Sequence, residues 1–256
     1  MRLILILIFF SIVSFTCYSQ GLSDYEDIIY LDAEYKTTEP NLEELKIMNL
    51  SSFWLNNPTE RRLGFIGKNY LRLHIKFLSI IKNPSDPLEY LVYGKSMVND
   101  NICEFQGTIR IKESYYFISE DYPSGNKGIL AGEYKFFENQ ASSHAGIFTG
   151  RFTTNWYKDE SGQLAYNDLW SVSAMYNNNQ FAGTWTEYGS DKHLIANWGD
   201  SRIPLSGDLD VGTSEFRPAD KYASNGWIIF LIANGGTPDK MDIEGARKTE
   251  NRQWWK

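Results

Sequence analysis

The residues best suited to chemistry in this sequence lie in one segment, residues 198–222, where acidic side chains alternate with aromatic and basic ones. Two carboxylates that flank a glycosidic bond can hydrolyse it, one as general acid and the other as base or nucleophile. The candidate catalytic residues are therefore Asp200, Asp208, Asp210 and Glu215. The alternative interpretation is structural: the pairs Asp200–Arg202 and Glu215–Arg217 could fix a long loop through ion pairs and turn caps.

The same segment also contains groups that could bind a ligand without transforming it. Long loops in compact domains often carry function, and this one combines large aromatic rings with charged side chains. Together with a tryptophan from a preceding strand, its aromatic and basic residues are the candidate ligand-binding residues: Trp185, Trp198, Arg202 and Tyr222.

Other catalytic and metal-binding patterns are not present in the sequence. It has no Gly-x-Ser-x-Gly elbow of an α/β-hydrolase, and its three histidines do not have the short spacing typical of zinc ligands. Asp208 and Asp210 have the spacing of a calcium loop, but Gly212 occupies the third ligand position and no glutamate stands at the twelfth. We therefore expect neither a bound metal nor a cofactor.

The composition excludes one class of partner and favours one class of fold. The formal net charge is −7 and no stretch is rich in lysine and arginine, so we expect no nucleic-acid partner. Aromatic residues make up 15% of the chain, which suits a β-rich protein because aromatic rings pack well on a pleated surface.

The first 19 residues predict an export signal. Arg2 precedes an uncharged run from residue 3 to residue 13, which is shorter than the roughly 20 residues that cross a bilayer as a helix. Cleavage after Ser19 would give a secreted or periplasmic protein without a transmembrane segment. Alternatively, Cys17 becomes the lipidated first residue and anchors the protein to a membrane. In both cases Cys103 is left without a disulfide partner, and its alternating, apolar context predicts a buried thiol.

Beyond the signal, the sequence predicts one β domain with two flanking segments. Residues 20–58 are acidic and irregular, with a short helix from Pro40 to Met48. Residues 59–234 form the antiparallel β domain, and residues 235–256 form a polar tail. Because no linker separates two cores, a single domain is expected.

Alternation of apolar and polar residues predicts the strands of this domain. Between Leu71 and Phe77 every odd position is apolar and every even position is cationic or histidine. Residues 169–176 and 180–188 are predicted as two strands joined by a hairpin turn at residues 177–179. Residues 227–233 are apolar on both faces and are predicted as a strand buried on both sides.

A recurring glycine pattern predicts how the sheet is shaped. Four strands read apolar-x-Gly-x-apolar around Gly107, Gly132, Gly150 and Gly183. At a period of two, each glycine lies on the same face as its large neighbours, where a missing side chain lets a sheet curl or a large facing residue enter. We expect a single curved antiparallel sheet, a meander closing into a partly open barrel. The alternative fold is a β-sandwich with incidental glycines.

Gly183-Thr184-Trp185 resembles the Gly-x-Trp motif of lipocalin-like barrels. In that family the motif lies on the first barrel strand, whereas here it falls about two-thirds along the chain. The resemblance supports a barrel and implies no role for any residue.

Two hypotheses for function follow from these observations. The first is an exported, non-catalytic β-rich protein that binds a small apolar ligand, a glycan or another protein of the cell envelope. The second is a secreted hydrolase that acts on a glycan-like substrate through the carboxylates of residues 198–222.

Overall fold

The structure is a computed structural model that describes residues 36–37, 42–55, 61–118, 126–169, 171–235 and 242–256. The predicted export signal, including Cys17 and Ser19, lies outside the described residues, as does Pro40. Within the described ranges, no helix is both long and apolar enough to cross a membrane.

The described chain contains eleven strands and four α-helices. The strands are β1 (Lys36–Thr37), β2 (Arg62–Ile66), β3 (Leu71–Arg72), β4 (His74–Lys82), β5 (Glu89–Val98), β6 (Asn101–Ile118), β7 (Lys127–Glu138), β8 (Gly146–Lys158), β9 (Leu164–Tyr166), β10 (Asn178–Glu187) and β11 (His193–Asp200). The helices are α1 (Glu43–Ile47), α2 (Ser52–Leu55), α3 (Ile228–Ala233) and α4 (Ile243–Glu250).

The main architecture is a single antiparallel sheet of nine strands that forms an open half-barrel. The strand order is β3-β2-β11-β10-β8-β7-β6-β5-β4, with β1 paired to β6 and β9 paired to β8. From β4 to β8 each strand pairs with the next, so this part is a meander. The predicted curved antiparallel sheet is therefore confirmed.

The two ends of the strand order meet at one point in the chain, because β3 ends at Arg72 and β4 begins at His74. Leu73 between them is buried, and its N–H donates to a carbonyl oxygen of β2 at 2.9 Å. The residues on either side of Leu73 contact the C-terminal part of the chain. The Arg72 guanidinium makes two hydrogen bonds to Glu250 of α4, and the Trp254 ring packs against His74. These contacts hold α4 and the residues after it against the point where the two ends of the strand order meet.

The predicted inner-face glycines lie where the backbone or an aromatic ring of a neighbouring strand leaves no room for a side chain. Gly107 pairs with Phe136 across β6 and β7, and a Cβ atom on Gly107 would lie 2.8 Å from the Cα of Phe136. Gly132 pairs with Phe152 across β7 and β8, and a Cβ there would lie 2.7 Å from the Phe152 ring. Both separations are too short for real atoms, so these positions require glycine.

One row of three strands shows this packing most clearly. Tyr134 pairs with Gly150, which in turn pairs with Gly183. A Cβ on Gly150 or on Gly183 would lie 2.7 or 2.6 Å from the Tyr134 hydroxyl oxygen. The Tyr134 side chain therefore occupies the space that two side chains would otherwise fill, and its fully buried hydroxyl has no hydrogen-bond partner among the described residues. Burial raises the pKa of this phenol.

Aromatic rings fill the middle of the half-barrel. Phe181 stacks on Trp198 with ring centroids 5.1 Å apart, and on Phe152 at 5.5 Å. Phe105 stacks on Phe136 at 5.0 Å. These rings are fully buried or nearly so. Because offset and edge-to-face ring pairs hold defined geometries, they form a rigid layer across the inside of the sheet.

One end of the half-barrel is sealed by α2 and a chain of buried polar groups. The Trp54 indole N–H donates to Thr154 Oγ1 at 3.0 Å, and this hydroxyl donates to Asn179 Oδ1 at 2.8 Å. The Asn179 amide donates to Asp200 Oδ2 at 2.6 Å, while Arg62 Nε donates to Asp200 Oδ1 at 3.0 Å. Burying a carboxylate requires partners of this kind, and Asp200 has both a cation and an amide.

The predicted hairpin around residues 177–179 is wrong. Residues 171–175 form turns and a bend, and β10 already begins at Asn178, which is fully buried together with Asn179. The Asn178 side chain accepts the N–H of Asn155 at 2.7 Å and donates to its carbonyl oxygen at 3.0 Å. Asparagine favours turns because its side-chain amide can hydrogen-bond to the backbone. Here the buried Asn178 side chain makes both hydrogen bonds to the Asn155 backbone that a neighbouring strand would otherwise make.

The predicted strand at residues 227–233 is also wrong, because residues 228–233 form α3. The predicted burial is nevertheless largely present, since the side chains of Phe230 to Ala233 are buried. A short apolar run has no period that distinguishes a strand from a buried helix. A second small core on the outer face of β2 holds this helix in place; its members are Leu63, Phe65, Ile203, Leu209, Phe216, Trp227 and Phe230.

The packing of Tyr134 on Gly183 predicts the effect of adding one methyl group. Gly183→Ala should lower the free energy of unfolding by about 2 kcal/mol or more, because overpacking typically costs about 1–3 kcal/mol and here backbone must also shift. Thr184→Ala, on the exposed outer face of the same strand, should change it by less than about 0.5 kcal/mol. Urea unfolding of the native chain and of both variants measures these changes in the free energy of unfolding. Equal stability of both variants would contradict the proposed packing.

Candidate ligand-binding site

The end of the half-barrel opposite the sealed one opens into a cavity of about 370 Å³, which we call the mouth pocket. Its apolar wall consists of Ile66, Leu71, Val98, Phe148 and Leu194. Eight different strands supply this wall and the polar groups described below, so the pocket lies across the opening of the curved sheet. Its volume lies within the usual range for small-molecule sites.

The polar side chains of the pocket come from strand ends. Glu138 is the last residue of β7, and Ser96 lies near the end of β5, where it pairs with Cys103 of β6. Trp185 lies near the end of β10 and is 5% exposed. Alternation along these strands places all four side chains inside the sheet.

Glu138 is the central polar group of the pocket. It is 5% exposed, and its Oε2 atom accepts hydrogen bonds from the Gly146 N–H and the Trp185 indole N–H, both at 2.8 Å. Its Oε1 atom accepts the hydroxyl of Ser96. Burial raises the pKa of this carboxyl above its usual range, and the three hydrogen bonds offset part of that rise.

Within the described part of the chain, no lysine, arginine or histidine pairs with the Glu138 carboxylate. Glu187, next to the pocket, interacts instead with lining residues: its carboxylate forms an ion pair with Lys192 Nζ at 3.5 Å and a hydrogen bond with His144 Nδ1 at 3.2 Å. Lys192 also lies over the Trp185 ring, 5.6 Å from its centroid. The pocket therefore has charges at its rim and an uncompensated carboxylate inside.

Cys103 lines the same pocket and is buried, as its sequence context predicted. Burial, followed by the negative charge of Glu138, raises the pKa of its thiol. A reactive cysteine needs the opposite shift, because the thiolate is the nucleophile. The thiol therefore acts here as a small buried side chain.

The candidate catalytic carboxylates lie apart from the mouth pocket, and three of the four form ion pairs. Asp200 is 1% exposed at the sealed end, bonded to Arg62 and Asn179 as described above. Asp208 lies at the surface with Lys221 at 2.5 Å. Asp210 pairs with Arg202 at 2.6 Å and caps a turn by accepting two backbone N–H groups.

Glu215, the fourth of these acids, is exposed. The structure thus brings the first three acids to cations and not to a shared cleft, but the pairs differ from those that the structural interpretation predicted. Asp200 pairs with Arg62 and not with Arg202, whose partner is Asp210. Arg217 pairs with Asp220 and not with Glu215. In the described residues, no three His, Cys, Asp or Glu side chains are arranged to hold a metal ion.

Of the four candidate ligand-binding residues, the structure places Trp185 in the mouth pocket. Trp198 is fully buried in the aromatic layer. Arg202 is 8% exposed and holds the loop through Asp210, with its Nε and Nη2 atoms unpaired among the described residues. Tyr222 donates to Asp208 at the surface at 2.9 Å.

Sequence reasoning missed Glu138 and Ser96, although a signal for Glu138 was present. The pattern around Gly132 continues along β7 through Tyr134 and Phe136 to Glu138, all on the inner face. An acid at an inward position is an exception that indicates a site, because unpaired buried charge is costly. No family model, curated protein or solved structure matches this chain.

The raised pKa of Glu138 predicts a pH-dependent stability difference. Between the ordinary value of about 4.5 and the raised one, the folded state keeps a proton that the unfolded chain has lost, so stability falls as the pH rises. In Glu138→Gln the amide oxygen can accept both Oε2 partners and the amide nitrogen can donate to Ser96. The free energy of unfolding of the native chain minus that of the variant should therefore decrease from pH 4 to pH 7.

The slope of this difference should be negative and cannot exceed about 1.4 kcal/mol per pH unit, the value for one proton. Urea unfolding of both proteins between pH 4 and pH 7 measures this difference. The contributions of titratable groups that both proteins share cancel in it. Parallel pH profiles, or a difference that grows with pH, would contradict the raised pKa.

Proposed function

We propose that this chain is an exported, non-catalytic binding protein that holds a small, mainly apolar ligand in the mouth pocket. The observation that carries the proposal is the pocket itself, an apolar cavity of about 370 Å³ with a few convergent polar groups around Glu138. An apolar pocket with few polar groups and a perturbed carboxyl is the common form of a ligand site.

The arrangement of the half-barrel supports this proposal. The polar chain through Asn179 and Asp200 closes one end, and the aromatic layer around Trp198 fills the middle. The cavity at the other end therefore has a rigid floor. A preformed pocket loses little conformational entropy when it binds a ligand, which favours affinity.

Export rests on the sequence alone, namely the basic residue and the uncharged run at the N-terminus. The non-catalytic part of the proposal is supported by the raised pKa of the Cys103 thiol and by the ion pairs of Asp208 and Asp210. The hydrolase hypothesis draws no support from these positions.

A pair of neighbouring substitutions tests the proposal. Leu194 faces the mouth pocket, whereas Ile195 lies on the outer face of the same strand and is 46% exposed. Leu194→Trp should fill the pocket and weaken binding of the neutral fluorophore N-phenyl-1-naphthylamine at least about tenfold. Ile195→Trp should leave binding unchanged. The measurement is a fluorescence titration of the native chain and both variants, with circular dichroism to verify the fold.

The proposal is contradicted if the native chain gives no saturable binding of this neutral probe, or if both tryptophan variants weaken binding equally. The second result would place the probe elsewhere, for example in the groove on the outer face that Ile195 lines with Leu205.

A further inference from the structure

The chemistry of the mouth pocket also indicates which ligands it prefers, an inference that rests on the function proposed above. Glu138 is 5% exposed, and all of its partners given above are neutral donors: a hydroxyl, an indole N–H and a backbone N–H. Neutral donors hold a carboxylate in place but leave its charge uncompensated. A buried charge without a counter-ion is costly, and pairing with an opposite charge relieves that cost.

The hydrogen-bonding capacity of the carboxylate is not exhausted. A carboxylate offers about four lone-pair sites, and the described residues use three of them. The Oε1 atom accepts from Ser96 alone, so it has room for one further donor. Because Glu138 lines the cavity, that donor can come from a bound molecule.

Trp185 adds a second group that attracts positive charge. Its N–H is fixed on Glu138, so its ring orientation is set, and the ring lines the pocket. The Lys192 ammonium already lies 5.6 Å from this ring's centroid on the rim side. Cations bind favourably over indole faces, more so when water is excluded.

We propose that the mouth pocket binds an apolar primary amine, whose ammonium group donates to Glu138 and whose hydrocarbon body lies along Ile66, Leu71 and Leu194. An anionic amphiphile such as a fatty acid would instead bring two carboxylates together inside an apolar cavity. The cavity volume of about 370 Å³ corresponds to roughly twelve times the ~30 Å³ that one water molecule occupies in the liquid, so an eight-carbon chain fits.

Three probes of equal chain length test this proposal: octylamine, 1-octanol and octanoate. Each is titrated at neutral pH against the native chain and against Glu138→Gln, with displacement of N-phenyl-1-naphthylamine as the readout. For the native chain, octylamine should bind about tenfold or more tightly than 1-octanol, and octanoate should bind most weakly. In Glu138→Gln the ratio of the affinities for octylamine and 1-octanol should fall to threefold or less.

A second measurement uses the native chain alone and does not depend on the variant's folding. Lowering the pH to about 4 protonates Glu138 while octylamine keeps its charge, so the preference for the amine over the alcohol should decrease. The same preference at both pH values would overturn the proposed pairing with Glu138.

The outcomes separate this inference from the proposed function. Equal binding of the three probes, or tighter binding of octanoate, would overturn the amine preference and leave the apolar pocket as a ligand site. If the fluorophore itself does not bind, both proposals fail. An amine preference that persists in Glu138→Gln would likewise overturn the role given to this carboxylate.

Discussion

The fold depends on one recurring interaction, an aromatic side chain of one strand packed over a glycine of its neighbour. Tyr134 of β7 over Gly150 and Gly183 is the most extended case, and Phe152 of β8 over Gly132 of β7 repeats it in the opposite direction. Glycine weakens a strand by itself, and an aromatic neighbour that covers it compensates for this loss. Because the empty positions all lie on the inner face, the sheet can curl until the aromatic rings touch one another.

The aromatic layer gives the half-barrel two different ends. On one side, α2 and the Asn179–Asp200 hydrogen bond close the sheet with groups that satisfy one another. On the other side, the strand ends leave an apolar cavity around Glu138. The buried carboxylates Asp200 and Glu138 illustrate the contrast: among the described residues, Asp200 has Arg62 as its counter-ion, whereas the partners of Glu138 are neutral donors. The first pairing is that of a structural group, and the second is the environment on which the proposed amine binding rests.

The sequence predicted the features that local patterns encode. The alternation and the glycine spacing gave the curved antiparallel sheet, because both follow from the period of two along a strand. The seven apolar residues that form α3 and its start were misassigned, since such a short run has no distinguishing period. Arg62 and Asp200 are 138 residues apart, and no local pattern records that they meet. Glu138 could have been identified by extending the inward alternation of β7, whereas its partners Ser96 and Trp185 depend on how the strands pair.

Amide hydrogen exchange, read by mass spectrometry with and without N-phenyl-1-naphthylamine, tests the central claim that ligands bind at the open end most directly. The probe should slow exchange at the strand ends around the mouth pocket, in residues 96–103, 136–138 and 185–194. Exchange should stay unchanged at the sealed end, in residues 52–55 and 178–180. Protection confined to the sealed end or to the outer face of the sheet would contradict the account.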